Sequence, residues 1–518
     1  MNPPSGEAAA LVQGLLEKSA ARAPEKVALV CGERRFTYGR LDAMSNRLAN
    51  ALLERGVRRG DRVALYLDNS LEAVVSIFAV LKAGAAFVSI SRGTKPDKLI
   101  AILNDCAPSA IVLDVAALGQ GLLDRLAEEA SSLRCAVSCG GAPRPVHPLL
   151  SDFAEIQAKS PEVAPEPGGI DLDLACLIYT SGTTGESKGV MCDHAGMVFV
   201  VETVARYLRN TERDVVLSVL PLAFSYGLYQ LLAMFHVGGT LVLEESFAFP
   251  DLVMGKMAAE RATGFAAVPS IYARLLSMDL SGIDLSSLRY LTNAAAGLPV
   301  EQVKRVRLLF PRADLYLMHG LTETARTMYL PPEQVDARPG SSGRALAGTE
   351  LWLEDEDGGR VGPGETGELI VRGRHVMRGY WGAPEETARR FRPGALAGER
   401  VCCSGDLFRM DEEGYFYFVS RKDDIIKSLG RKVAPRETED VLYRIPGVLE
   451  AAVVGVPHPE MGQAVKAFIV APGAGLREAA VIAHCRKHLE DFMVPRTVVF
   501  VAELPKTPSG KLRRKDLA

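Results

Sequence analysis

Hydroxyl and glycine residues follow a short apolar run in the segment 177–190, which reads Leu-Ile-Tyr-Thr-Ser-Gly-Thr-Thr-Gly-Glu-Ser-Lys-Gly-Val. Glycines let the backbone approach a ligand, amides and hydroxyls donate to phosphate oxygens, and a lysine supplies compensating charge. The pattern therefore predicts a loop that holds a triphosphate, and it differs from a Walker loop because no Ser or Thr follows the lysine. The alternative is a flexible turn. The candidate binding residues are Thr180, Ser181, Gly182, Thr183, Thr184, Gly185 and Lys188.

A second segment that can do chemistry lies just before the C-terminus. Residues 505–514 read Pro-Lys-Thr-Pro-Ser-Gly-Lys-Leu-Arg-Arg. Proline and glycine shape a loop that can deliver the long cation of Lys511 into a cleft. There the cation would be bound best when negative charge develops in a transition state. A run of Lys and Arg is more often a solvated tail, so only the Pro-x-Gly-Lys context singles out Lys511.

Two carboxylates follow apolar runs at positions that favour ligand binding. Glu323 comes after Thr322 in a turn that follows the strand-like run 315–318. A hard oxygen ligand at such a turn can hold Mg²⁺. Asp406 lies in Ser-Gly-Asp-Leu, where a carboxylate can accept hydrogen bonds from both ribose hydroxyls. The alternatives are an acid at a helix N-terminus for Glu323 and an ordinary turn aspartate for Asp406.

The elements that must position these residues alternate between two kinds through roughly the first 400 residues. Apolar strand-like runs occur at 63–66, 110–113, 215–218 and 240–244, and amphipathic helices are predicted at 41–54 and 71–83. Such alternation predicts an α/β fold of parallel sheets covered by helices. Around 351–369, Asp-Gly and Pro-Gly turns separate short strands, which predicts a small distorted β-barrel or antiparallel sheet.

A chain of 518 residues is too long for one core and should divide into at least two domains. We place the boundary at residues 421–424, where a strand-like run meets a charged turn. Residues 1–420 are then a large N-terminal domain. Residues 425–518 are a small α+β C-terminal lid, with elements predicted at 437–443, 451–456, 464–470 and 479–488.

Five segments in order resemble the adenylate-forming (AMP-binding) superfamily, which includes acyl-CoA synthetases, stand-alone adenylation enzymes and luciferases. They are the segment 177–190, His-Gly-Leu-Thr-Glu at 319–323, Ser-Gly-Asp at 404–406, Arg-Lys-Asp-Asp at 421–424 running into Lys-Ser-Leu-Gly at 427–430, and the segment 505–514. The resemblance extends from about residue 25 to residue 516. It implies a large N-terminal adenylation domain with a mobile C-terminal lid, in agreement with the partition above.

The resemblance also implies roles for individual residues. Thr322 would bind the α-phosphate and Glu323 the metal, and Lys511 would serve the first half-reaction. The other implied positions are His319, Gly320, Asp406 and Arg421 at the AMP moiety, Asp423 as the hinge of the lid, and Gly430 in the channel for a phosphopantetheine thiol.

The family's acyl pocket corresponds here to Phe224, Ser225, Tyr226, Gly227, Ala295, Ala296 and Leu321. Relatives that activate amino acids usually carry an aspartate where Ser225 stands. Burying an ammonium without a partner costs several kcal/mol, so an amino acid substrate is disfavoured. Ala295 stands where many members of the family have glycine, and its methyl group is expected to narrow the acyl pocket. The sequence therefore favours an apolar aliphatic or aryl acid.

The resemblance implies an AMP-forming acid–thiol ligase that uses ATP and Mg²⁺, passes through an acyl-adenylate and forms a thioester with CoA. The closest alternative hands the acyl group to a carrier-protein phosphopantetheine in trans. A luciferase-like monooxygenase would share the same motifs, and a non-catalytic ATP-binding protein is the remote alternative.

Net charge, hydropathy and cysteine content argue against several other functional classes. A net charge of −3 argues against nucleic acid as the main partner, and we expect no membrane span and no signal peptide. Nine cysteines without paired metal spacing favour reduced thiols and a cytoplasmic location.

Overall fold

Aliphatic runs form strands and amphipathic segments form helices along most of the chain, in the order that the sequence predicts. The computed structural model describes residues 11–115, 120–140, 149–166, 168–181, 187–507 and 510–517. These residues form two units. The first contains the described residues up to Ala266 with Thr322–Ala325 and Gly373–Arg400. The second contains Ala267–Leu321, Arg326–Arg372 and the described residues from Val401 onward.

The N-terminal half of the chain contains elements α1 to α9 and β1 to β12. In chain order they are α1 (Gly14–Arg22), β1 (Val27–Cys31), β2 (Arg34–Thr37), α2 (Tyr38–Glu54), β3 (Arg62–Tyr66), α3 (Leu71–Lys82), β4 (Ala86–Ile90), α4 (Pro96–Cys106), β5 (Ala110–Asp114), α5 (Gln120–Glu129), β6 (Cys135–Cys139), β7 (Leu150–Asp152), α6 (Phe153–Lys159), β8 (Leu174–Ser181), β9 (Ser187–Asp193), α7 (His194–Tyr207), β10 (Val215–Ser218), α8 (Ser225–Val237), β11 (Thr240–Leu243), α9 (Pro250–Ala259) and β12 (Gly264–Ala267).

The remaining elements follow from Pro269 to Phe500. They are α10 (Pro269–Leu275), β13 (Tyr290–Asn293), α11 (Val300–Leu309), β14 (Asp314–His319), β15 (Met328–Leu330), β16 (Ser341–Ala345), β17 (Thr349–Glu354), β18 (Thr366–Gly373), α12 (Pro384–Arg390), β19 (Phe391–Pro393), β20 (Arg400–Met410), β21 (Phe416–Arg421), β22 (Ile426–Ser428), β23 (Arg431–Val433), α13 (Pro435–Leu442), β24 (Glu450–His458), β25 (Gly462–Val470), α14 (Glu478–His488) and β26 (Thr497–Phe500).

The first unit is built on two sets of strands. One sheet has the order β7-β6-β5-β3-β4-β8-β9 and is parallel apart from the antiparallel pair β8–β9. The other set has the order β12-β10-β11-β1-β2 and is parallel apart from β1–β2. Helix α3 is buried along nearly its whole length, as its apolar composition requires. Parallel strands that are covered by helices confirm the predicted α/β class.

The second unit carries the antiparallel structure. Its strands follow the order β17-β18-β20-β21-β16-β15-β14-β13, of which β13 and β14 are parallel. A further sheet, β23-β22-β25-β24 with β26 on β25, packs with α13 and α14 around its own apolar core. This C-terminal α+β part has the elements that the sequence predicts. The domain boundary at 421–424 stays a prediction.

Side-chain caps fix the starts of three helices of the first unit. Thr37 accepts from Arg40 N at α2, Ser70 from Ala73 N at α3, and Asp193 from Gly196 N at α7. Asp193 is also the last residue of β9, so the strand passes directly into α7. Within the described ranges, no helix combines the length and the apolar character that a bilayer crossing requires.

Two histidines of the first unit lie in its interior. Nδ1 of His194 accepts from Val12 N at 3.1 Å, and His375 packs on Phe199 with 5.6 Å between ring centroids. Burial lowers the pKa of both imidazoles to about 4. Both rings are therefore neutral in the folded protein at pH 7.

These histidines predict acid sensitivity. In the unfolded chain each of these histidines has a pKa near 6.5, whereas in the native protein its pKa is about 4. The free energy of unfolding therefore decreases as the pH falls from about 6.5 to about 4. Each contributes a loss of about 2 kcal/mol between pH 7 and pH 5. In urea unfolding at pH 7 and at pH 5, the free energy of unfolding of His375→Gln should decrease between the two pH values by about 2 kcal/mol less than that of the native protein. The exposed His488→Gln is the control, and equal losses in both variants would contradict the prediction.

Candidate active site

The predicted phosphate-binding segment includes the paired ends of β8 and β9, which form an antiparallel pair. Thr180 pairs with Lys188 and Ser181 with Ser187 in the antiparallel register. Gly182, Thr183, Thr184 and Gly185 lie outside the described residues, and the side chain of Ser181 is likewise not described.

The base of this pair of strands is closely packed. The Tyr179 hydroxyl donates to Asp105, and a Cβ added at Gly189 would lie 3.0 Å from Tyr179 Cζ. Backbone bonds join this strand to the segment 378–381, since Met191 N donates to Gly379 O and Trp381 N to Gly189 O. Lys188 therefore projects from a strand that is fixed on both edges.

Lys188 is surrounded by side chains of the segment that follows Gly379. Its ammonium lies 3.7 Å from a carboxylate oxygen of Glu386 and 5.8 Å from the ring centroid of Tyr380. Its side chain is 17% exposed. The cation is thus largely covered by the protein and has Glu386 as its counter-ion.

Glu323 lies in the first unit, as do Tyr380 and Arg390. Its Oε1 accepts from the Tyr380 hydroxyl at 2.6 Å and lies 3.8 Å from Arg390 Nε. Its backbone carbonyl accepts from Met377 N at 2.9 Å. Thr322 precedes it and is half-buried. The carboxylate is held in one orientation by groups distant in sequence.

The predicted acyl-pocket residues of the first unit form the start of α8. Phe224 is the N-cap residue, Ser225 is the first helical residue, and Tyr226 is buried. Gly227 is required by close approach, because an added Cβ would lie 2.4 Å from Pro221 O. Sequence reasoning missed Asn69, whose amide donates to Leu220 O and Glu244 O and accepts from Leu222 N.

The second unit brings three predicted AMP-binding side chains together. Asp406 Oδ2 lies 3.1 Å from His319 Nε2, and its Oδ1 lies 3.2 Å from Arg421 Nε. Asp406 and Arg421 face each other across β20 and β21, and Nδ1 of His319 contacts Thr327 Oγ1 at 2.8 Å. Gly320 follows His319, the last residue of β14. The carboxylate of Asp406 contacts both the imidazole of His319 and the guanidinium of Arg421. Such a set can bind the hydroxyls of a ribose.

The other predicted acyl-pocket residues, Ala295, Ala296 and Leu321, lie in the second unit. Ala295 has a φ of 72°, in the left-handed region that favours glycine. Asn293 Nδ2 donates to Ala296 O at 2.9 Å and helps to hold this turn. An alanine here costs about 1 kcal/mol of backbone strain.

The C-terminal part carries the predicted hinge, channel and lysine. Asp423 lies in the 3₁₀ turn Lys422–Asp424. Gly430, with a φ of 74°, is at the tip of the hairpin β22–β23, and no described atom lies within 4 Å of where its Cβ would be. The Lys511 backbone pairs with Thr507 through bonds of 2.8 and 3.1 Å. Gly510 lies against Val268, 2.8 Å from the position of an added Cβ.

Sequence reasoning missed the anchor of this lysine segment. Arg514 donates to both oxygens of Glu439, at 2.6 and 3.0 Å, and lies 3.5 Å from Asp424. The residue next to the predicted hinge thus contacts the segment that bears Lys511. A C-terminal Lys/Arg cluster gives no signal that could distinguish this half-buried arginine from exposed ones.

The chain matches known proteins along nearly its whole length. The sequence profile of the family described as AMP-binding enzyme matches residues 16–381, and that of the AMP-binding enzyme C-terminal domain matches residues 437–511. The long-chain-fatty-acid–CoA ligase of Escherichia coli O157:H7 is 34% identical over 538 residues, which cover 97% of this chain and 93% of that protein.

Solved structures agree with these matches. An anthranilate CoA ligase in complex with anthranoyl-AMP superposes with a TM-score of 0.90 at 29% identity, covering 100% of this chain and 98% of the other. The o-succinylbenzoate CoA synthetase of Bacillus subtilis in complex with ATP and magnesium ion superposes with a TM-score of 0.83 at 27% identity, covering 97% of this chain and 98% of the other.

Proposed function

Because the chain belongs to the AMP-binding enzyme family, we propose that it activates an apolar aliphatic or aryl acid through an acyl-adenylate and then forms the CoA thioester. The enzyme is an AMP-forming acid–CoA ligase, and the class of acid is the proposed part. The observation that carries this part is the neutral Ser225 at the start of α8, between Phe224 and the buried Tyr226.

In the first half-reaction the acid carboxylate attacks the α-phosphorus of ATP and pyrophosphate leaves. We assign Lys188 and the 180–185 loop to the β- and γ-phosphates, and Thr322 to the α-phosphate. Asp406, with His319 and Arg421, would hold the ribose. Lys511 would touch the attacking carboxylate and the α-phosphate, where charge develops, so its contribution is made in the transition state.

The residues present fit a magnesium ion. Glu323 is the assigned ligand, and its Oε1 is bonded to Tyr380 while no described residue bonds to Oε2. A bound Mg²⁺ would neutralise phosphate charge, and it needs one or two carboxylates plus phosphate oxygens. A single open carboxylate oxygen therefore suffices.

In the second half-reaction a thiol displaces AMP from the acyl group. We assign Asp423 as the hinge about which the lid turns, and Gly430 as the residue that leaves room for the thiol. We propose CoA as the thiol, which the names of the relatives support. A carrier-protein phosphopantetheine is the other acceptor to be tested. We also propose a cytoplasmic location, because the nine cysteines, all within the described residues, form no disulfide bond.

The experiment is pyrophosphate release over a panel of fatty, aryl and amino acids, followed by incubation with CoA or with a phosphopantetheinylated carrier protein. We expect acid-dependent release with neutral acids, and thioester formation with CoA. Release without any acid dependence would contradict acid activation, and a thioester found only on the carrier would contradict CoA as the acceptor.

The uncharged pocket predicts discrimination against amino acids. The native enzyme should prefer a neutral acid over the matching amino acid by a few hundred-fold in kcat/KM, because an unpaired buried ammonium costs about 3–5 kcal/mol. Ser225→Asp should lower kcat/KM for the neutral acid about 100-fold. Ser225→Asn, which adds similar bulk without charge, is the matched control. Faster turnover of an amino acid than of its deaminated analogue would remove Ser225 from the pocket.

A further inference from the structure

The two oxygens of the Glu323 carboxylate have different surroundings. Oε1 accepts a hydrogen bond of 2.6 Å from the Tyr380 hydroxyl and lies 3.8 Å from Arg390 Nε. No described residue donates a hydrogen bond to Oε2. The side chain is 11% exposed. The carboxylate therefore has one oxygen committed to the protein and one open to a ligand.

Tyr380 is held firmly enough to orient its partner. The backbone of Tyr380 forms a β-bridge with Val190, and its N–H donates to Thr387 Oγ1 at 2.9 Å. Its ring contacts that of Phe391 at 5.8 Å between centroids. Thr387 belongs to α12, so the strand β9 and the helix α12 together fix the phenol. A donor fixed in this way selects one rotamer of the carboxylate it binds.

Helix α12 provides a separate charged partner for each of Lys188 and Glu323. Glu386 and Arg390 are one helical turn apart, and the first lies 3.7 Å from Lys188 while the second lies 3.8 Å from Glu323. Lys188 therefore has a carboxylate other than Glu323 as its partner.

We propose that Tyr380 is the positioning residue of Glu323, and that with Arg390 it fixes Oε1 so that Oε2 faces the divalent metal. The proposal rests on the proposed function, since it takes Glu323 as the metal ligand. It assigns no chemical step to Tyr380. Its consequence is confined to the affinity for the metal.

The test is Tyr380→Phe, which removes the hydroxyl and keeps the ring. At saturating ATP and acid, the Mg²⁺ concentration for half-maximal pyrophosphate release should rise about 10-fold, with kcat at saturating Mg²⁺ changed less than about 3-fold. Mn²⁺ binding to the enzyme with a non-hydrolysable ATP analogue, followed by electron paramagnetic resonance, should weaken by the same factor. Arg390→Met should give a smaller increase in the Mg²⁺ requirement, and Arg390→Lys should restore the native value.

The control is Tyr66→Phe, because this phenol of the same unit donates to the carbonyls of Arg92 and Thr94 instead of a carboxylate. It should leave both metal measurements unchanged. If Glu323→Gln weakens Mn²⁺ binding and Tyr380→Phe does not, the positioning role is wrong and the metal assignment stands. If Glu323→Gln leaves Mn²⁺ binding unchanged, the metal assignment fails and takes the proposal with it. Equal effects of Tyr380→Phe and Tyr66→Phe would also overturn it.

Discussion

Replacing Lys511 with alanine should lower the rate of acid-dependent pyrophosphate release at least about 100-fold, and it should leave thioester formation from a pre-made acyl-adenylate within about 3-fold of the native rate. The lysine projects from a loop held by Thr507, with Gly510 against Val268. A cation at the reacting carboxylate matters most while charge develops on the α-phosphate. The second half-reaction has a different transition state, and the proposed rotation of the lid would take the lysine away from the reacting atoms.

The measurement is single-turnover rates of both half-reactions with purified enzyme. Arg513→Ala is the matched control, because this neighbouring cation is exposed and pairs with Asp516. It should leave both rates unchanged. If both half-reactions fell together in a folded Lys511→Ala enzyme, a lid with two working positions would be the wrong account.

Gly430→Leu should produce the opposite pattern. It should lower thioester formation at least about 100-fold, because a bulky side chain would fill the channel assigned to the thiol, while pyrophosphate release continues and acyl-adenylate accumulates on the enzyme. Gly430 and Leu429 both have positive φ, so the hairpin turn itself is of the type that favours glycine. Leucine at 430 therefore also adds backbone strain of about 1–2 kcal/mol.

Gly473→Leu separates channel blockage from this strain. Gly473 has a φ of 73°, and no described atom lies within 4 Å of where its Cβ would be, so the two substitutions have matched backbone costs. The control should lose stability like Gly430→Leu and retain thioester formation. Normal thioester yield from Gly430→Leu would remove this residue from the channel.

Local sequence pattern was enough to predict the fold class and the order of elements. The sequence predicts a helix at 71–83, and α3 is Leu71–Lys82; it predicts a strand at 464–470, and β25 is Gly462–Val470. These elements can be predicted because the apolar periodicity within one helix or strand determines which of its faces is buried. The candidate ATP-site segments can likewise be proposed from the sequence, since their residue types lie next to each other in the chain, and their roles stay predictions.

The supports of the site could not be predicted in this way. Tyr380 is 57 residues from Glu323, and Asn69 is 151 residues from the carbonyl of Leu220 that it binds. Arg514 is 75 residues from Glu439. No periodicity or spacing rule links such pairs, because they are brought together only by packing of the folded chain. The strain at Ala295 is equally invisible, since backbone dihedral angles do not follow from residue type alone.

The central claim is that the acid is activated as an acyl-adenylate, and an oxygen-transfer experiment tests it most directly. The enzyme is incubated with ATP, CoA and a neutral acid whose carboxyl oxygens are ¹⁸O, and the products are analysed by mass spectrometry. We predict one ¹⁸O atom in the phosphate of AMP, none in pyrophosphate, and an acyl-CoA that retains the other. Label in inorganic phosphate together with ADP, or AMP without label, would contradict this account.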